Sequence, residues 1–137
     1  MAGTVIVGYD GSDGAKAALS EAVRLAEATG ERLVLVFGYE PTQRAGESAD
    51  LRRAIEAIGQ EHLDEALATV DGRVEAEGVL VAERGADALL SVAEEHGASL
   101  IAVGATDRGP LAGAVLGSVP HRLVNTTRVP LLIVPPD

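Results

Sequence analysis

The 137-residue chain contains no cysteine. Disulfides, thiolate metal ligands and thiol nucleophiles are therefore excluded, and the absence suits a reducing cytosol. No apolar run approaches membrane-spanning length, and the opening MAGTVIVGYDGS has no basic segment ahead of its first apolar stretch. The expectation is a cytoplasmic protein with no membrane contact. Basic charge is scarce: 11 Lys and Arg stand against 21 Asp and Glu, for a net charge of −10. That argues against a nucleic-acid-binding surface. There is no Gly-Lys-Ser/Thr phosphate loop and no serine set in a nucleophile elbow. Nor is there an internal repeat, low-complexity segment or linker. With 47% hydrophobic residues, 1–137 is expected to form one domain around one core.

The charge that is present is unevenly spread. Residues 1–98 carry 8 basic and 19 acidic side chains and residues 99–137 carry 3 and 2, so the balance moves from −11 to +1. Two readings fit: a tract arranged for an anion, or a chance gap in surface acids.

Hydrophobic patterning predicts alternating strands and helices. Thr4 to Tyr9, Leu33 to Phe37, Ser99 to Val103 and Leu131 to Val134 are short, nearly all-apolar runs, as strands buried on both faces should be. Arg73 to Val81 alternates, with Arg73, Glu75 and Glu77 on one face, and reads as an edge strand. A first helix carries Ala15, Ala18, Leu19, Ala22, Leu25 and Ala26 on one stripe, with Ser12 or Asp13 as cap and Gly30 as stop. A long second helix places Leu51, Ala54, Ile55, Ile58, His62, Ala66 and Val70 inward, weakened by Gly59. A third spans Ala86 to His96, with Leu89, Leu90, Val92 and Ala93 inward. A short fourth begins near Ser118 with Pro120 in its first turn. Pro41 to Ser48 is the longest clear loop. The order βαβα-βαβαβ predicts a mainly parallel sheet with helices on both faces. Ligands in such sheets sit beyond the strand C-termini, at a switch in strand order.

The stretch Gly104 to Val119, GATDRGPLAGAVLGSV, links the fourth strand to the last helix. Strand, glycine-rich loop and helix N-terminus is an architecture that holds phosphate, because bare backbone N–H groups can approach an anion.

Several segments together make the chain resemble the universal stress proteins, small nucleotide-binding α/β proteins. They are VIVGYDGSDGAKAAL, LVLVF, GASLIAVGATDRG, LGSV and the ending VPLLIVP, and the resemblance covers essentially the whole chain. It implies a three-layer α/β/α sandwich with a five-stranded sheet in the order 3-2-1-4-5. That fold is Rossmann-like, of the adenine nucleotide alpha hydrolase-like kind. It further implies an ATP or related adenine-nucleotide site, with Mg2+ as a companion, and a stress-response binding or signalling role. The family's G-x2-G-x9-G-[S/T] motif falls on Gly104, Asp107, Gly117 and Ser118, so its spacing is kept but its second glycine is Asp107. A carboxylate facing the phosphates would weaken binding. One facing solvent, or helping to bind Mg2+, would leave the site intact.

The resemblance also implies roles for single residues. Asp10 matches an acidic residue near ribose and phosphates, and equally fits an Asx-turn beside Gly11. Gly8 and Tyr9 would line the pocket. Gly38 stands where Val is common beside the adenine. Val103 is either core or a wall for the base. Ser118 can cap the last helix and bind phosphate, Val119 would add an N–H, and Arg108 could close over the phosphates. His121 and Arg122 lie in the first turn of that helix, where positive charge suits a bound anion or is simply solvated. His62 reads as a core or boundary residue, His96 as a favourable group at a helix C-terminus, and the three histidines show no metal-ligand spacing. The ending Val129 to Val134 implies an edge strand that pairs two copies into a homodimer. No general base poised for hydrolysis is evident, so any ATP hydrolysis should be slow and incidental. The competing function is the same fold without nucleotide, acting through dimer or partner contacts.

Overall fold

A computed structural model describes residues 3–40, 49–106 and 116–136. The elements follow the predicted order: β1 (Thr4–Gly8), α1 (Asp13–Thr29), β2 (Arg32–Gly38), α2 (Ala49–Val70), β3 (Ala76–Val81), α3 (Gly85–His96), β4 (Leu100–Gly104), α4 (Ser118–Thr126) and β5 (Leu131–Val134). All four strand pairings are parallel, in the order β3-β2-β1-β4-β5. The predicted loop Pro41 to Ser48 lies outside the described residues, as do Asp107 and Arg108.

Alternation along the strands divides the core into two layers. Val5 and Val7 of β1, Leu33 and Leu35 of β2 and Ala102 of β4 face α1 and α2. Ile6, Val34, Val36, Ile101 and Val103 face α3 and α4. A strand with helices on both sides has no polar face, which is why β1, β2 and β4 read as continuous apolar runs. Each fully buried aliphatic side chain contributes roughly 1.5–3 kcal/mol, so the sheet anchors the molecule and its ends are free to carry a site.

α1 starts where Ser12 Oγ accepts the Ala15 N–H (3.2 Å) and ends at Gly30 in the left-handed region (φ 77°). Val23, rather than Leu25, completes its buried stripe. β3 is shorter than expected. Gly72 (φ 79°) turns the chain, and Arg73 leaves the sheet direction to pair with Glu27 of α1 (2.9 Å).

α2 corrects the sequence expectation most clearly. Its buried face is Gly59, Leu63, Ala66 and Val70, while Leu51 (46%) and Ile58 (54%) are exposed. Ala66 and Val70 are buried as expected, but before them the buried face is shifted by about one residue because Gly59 is the point of closest approach. A Cβ there would lie 2.5 Å from Phe37 Cδ1 and 2.8 Å from Leu80 Cδ2. Among the described residues, no helix is long and apolar enough to cross a membrane.

Candidate functional site

β1 is the centre of the sheet, paired with β2 on one side and β4 on the other. The chain winds from β1 toward β3 and then returns to β4. The connections leaving β1 and β4 therefore diverge, and a crevice opens at their C-terminal ends. A cavity of about 270 Å³ occupies this point. Nine of the eleven residues expected at a site line it: Gly8, Tyr9, Asp10, Gly38, Val103, Gly104, Gly117, Ser118 and Val119. The other two, Asp107 and Arg108, lie outside the described residues.

The cavity lining is of two chemical kinds. Val36, Leu89, Val103 and Val119 contribute apolar side chains. Gly8 is bare because Leu89 Cδ1 and Val103 Cγ1 stand 3.2 and 3.3 Å from where its Cβ would be. Gly38 serves packing too: a Cβ there would meet Ala88 Cβ at 2.8 Å and the Glu83 carbonyl oxygen at 2.9 Å. The glycine lets α3 press against the end of β2, and both line the cavity.

The polar part of the lining is built largely from backbone. The first turns of α1, α3 and α4 all reach the cavity, through Ala15, Gly85 and Ser118. Their dipoles direct partial positive charge at it. Gly117 is the N-cap of α4, in extended conformation and with no side-chain cap bond, so Ser118 is the first helical residue and not the cap. Helix geometry leaves the Ser118 and Val119 amides without an intrahelical acceptor. Gly117 N–H donates to the Ala105 carbonyl (2.8 Å) and His121 N–H to the Gly117 carbonyl (3.0 Å), which fixes the helix end against β4. Pro120, buried beneath, has no N–H to satisfy.

Asp10 forms the Asx-turn: its Oδ1 accepts the Ser12 N–H at 3.0 Å. Its carboxylate is exposed at the cavity rim. Tyr9 lines the cavity while its ring packs with the core facing α1 and α2. Burial raises its phenol above the ordinary value of about 10, and the carboxylates of Glu65 and Asp10 add to the rise.

Arg122, expected to accompany an anion, already has one. Its guanidinium pairs with Asp87 in the first turn of α3 (3.0 Å). His121 is exposed. The Arg32 guanidinium lies 3.1 Å from His96 Nδ1 at that helix end. His62 is half-buried against Phe37 and Gly11. Among the described residues no group of acidic or imidazole side chains could hold a metal ion.

Sequence reasoning did not count Ser12, Val36, Gly85 or Thr106 among the site residues, and all four line the cavity. Their signal was topological. Val36 lies near a strand C-terminus, and Ser12 and Gly85 open helices that follow strands. Among the described residues the lining carries no Lys, Arg or His, and Asp10 is its one charged group. The arrangement can hold a ligand that combines an apolar ring, against the apolar side chains, with an anionic group on backbone amides.

A five-stranded parallel sheet with helices on both faces and a crevice at its switch point defines the doubly wound α/β class. Residues 1–135 match the universal stress protein family. A universal stress protein of Mycobacterium tuberculosis is 34% identical over 139 residues, spanning 96% of this chain and 94% of its own. A solved structure from the same family, from Burkholderia pseudomallei, is 33% identical with a TM-score of 0.76, covering 97% of this chain and 96% of its own. A universal stress protein solved in complex with cAMP is 31% identical with a TM-score of 0.69, covering 96% of each chain. The chain belongs to the universal stress protein family.

Proposed function

We propose that this protein binds an adenine nucleotide in the cavity between β1 and β4 and works as a binding or signalling module of the stress response. The carrying observation is that Gly104, Gly117, the first residues of α4 and the Asp10–Ser12 turn all line one cavity. Its apolar side chains, Val36, Leu89 and Val103, suit a purine. The relative solved in complex with cAMP supports an adenine ligand for this chain. ATP with Mg2+ is the form implied by the sequence motif. Mg2+ would offset the Asp10 carboxylate and the phosphate charge, for which the described lining supplies no cation. We assign no catalytic residue.

Isothermal titration calorimetry with ATP, ATP·Mg2+, AMP and cAMP tests the proposal, together with mass spectrometry of small molecules released from the purified protein. Saturable binding of at least one nucleotide is expected. Absence of heat and of thermal stabilisation at millimolar concentration of all four would overturn it.

A second reading, in which the fold has lost its nucleotide, rests on Asp107 in the second glycine position of the motif. It expects the parent to bind nothing and Asp107→Gly to restore binding.

We further propose that two copies pair through Val129 to Val134. β5 is an edge strand, and Leu131, Leu132 and Ile133 are only half-buried within one chain. Sedimentation equilibrium should give twice the 14.0 kDa chain mass. A monomer at all concentrations would exclude this pairing.

A further inference from the structure

α2 contributes no described residue to the cavity lining, yet it touches the cavity rim from behind. His62 projects from α2 onto Gly11 in the β1–α1 turn. A Cβ built on Gly11 would lie 2.5 Å from His62 Cε1 and 2.9 Å from Cγ. Gly11 also has φ +83°, in the left-handed region, so the imidazole rests on bare backbone that only glycine provides. The ring also stacks on Phe37 at the end of β2, with centroids 6.4 Å apart and planes at 25°. Phe37 in turn packs on Gly59, one turn earlier in α2, where a side chain would push the helix away. His62 is thus held by β2 and pressed against the turn.

The opposite side of that turn faces the cavity. Asp10 and Ser12 flank Gly11, and both line the cavity while Gly11 does not. Their geometry depends on two hydrogen bonds, Ser12 N–H to Asp10 Oδ1 (3.0 Å) and Ala15 N–H to Ser12 Oγ (3.2 Å). We infer that His62 is a positioning residue for the ligand site. Acting through Gly11, it holds the Asp10–Ser12 turn in the conformation that presents the carboxylate and hydroxyl to the ligand, and it couples α2 to the occupied cavity. The inference rests on the nucleotide-binding reading above for its ligand, but its structural half can be read without one.

The test compares His62→Ala with the ring-keeping His62→Phe, and reads His62→Leu in place of the alanine variant if that variant does not fold. Amide hydrogen exchange without ligand comes first. In His62→Ala, exchange at Ser12 and Ala15 should quicken about tenfold relative to Ala22 and Val23 within α1, and His62→Phe should restore it. Calorimetry with the nucleotide that the parent binds comes second. Affinity should fall about tenfold in His62→Ala and return to within about twofold in His62→Phe. Unchanged exchange at Ser12 and Ala15, or equal loss of affinity in the alanine and phenylalanine variants, overturns the inference. If the parent binds no adenine nucleotide, the functional proposal fails on its own and exchange alone decides the role of His62.

Discussion

Gly104 and Gly14 meet backbone to backbone. A Cβ on Gly104 would stand 2.6 Å from the carbonyl carbon of Gly14 and 2.8 Å from its Cα. A Cβ on Gly14 would in turn collide with the Thr106 carbonyl oxygen. The first glycine of the motif therefore closes the end of β4 onto the first turn of α1, a packing role that exists before any ligand arrives.

Gly104→Ala should accordingly destabilise the ligand-free protein by roughly 1–3 kcal/mol, the usual cost of overpacking a tight contact. Urea unfolding monitored by circular dichroism measures it. If stability is unchanged and only nucleotide affinity is lost, the glycine serves the ligand and not the fold.

Gly38→Val restores the residue common in the family, yet here it should be harmful. Its Cβ would meet Ala88 and the Glu83 carbonyl, so α3 must move outward. A loss of roughly 1–3 kcal/mol is expected, again from unfolding curves. A valine variant as stable as the parent would show that α3 moves freely.

The Asp87–Arg122 pair joins the first turn of α3 to α4, with side chains 42% and 58% exposed. A double-mutant cycle should return a coupling of roughly 0.2–1 kcal/mol, as for exposed pairs. Because the guanidinium is already paired, Arg122→Ala should leave nucleotide affinity within about twofold, or roughly 0.4 kcal/mol. A much larger loss would mean that Arg122 leaves Asp87 for the phosphates.

Tyr9 links the site to alkaline stability. Its folded pKa is raised, first by burial and then by Glu65 and Asp10. Above about pH 10 the unfolded chain releases the phenolic proton while the folded chain keeps it, so stability falls with rising pH. The contribution is fully present below that pH and is lost as pH climbs through the folded value. Tyr9→Phe should flatten the decline in urea midpoint between pH 9 and 11. Some slope should remain, because the hydrogen bond from Tyr39 to Glu56 (2.6 Å) raises the Tyr39 phenol as well. An unaltered slope in the Phe variant would rule Tyr9 out as a source.

Much of the fold was legible because its signals are local. β1, β2 and β4 are buried on both faces, and their apolar runs say so directly. Ser12, Gly30 and Gly97 mark helix ends by capping and by positive φ, which depend on a few neighbouring residues. The spacing of Gly104, Gly117 and Ser118 is a sequence property, and the alternation of strands and helices placed Gly104 at a strand end and Gly117 and Ser118 at a helix start.

Three things were decided only by the tertiary structure. The rotation of α2 depends on Gly59 meeting Phe37 and Leu80, two side chains from other elements, so the apolar stripe through Leu51 and Ile58 pointed the wrong way. The partner of Arg122 is a carboxylate 35 positions earlier, which no local pattern reveals. Gly38 and Gly104 are glycines because α3 and α1 press on them. The sequence by itself determined the order of elements, the parallel sheet and the strand ends where a ligand can sit, because these follow from hydrophobic period and backbone chemistry. Which atoms touch at those ends was decided by helices docking at distances that only the assembled fold sets.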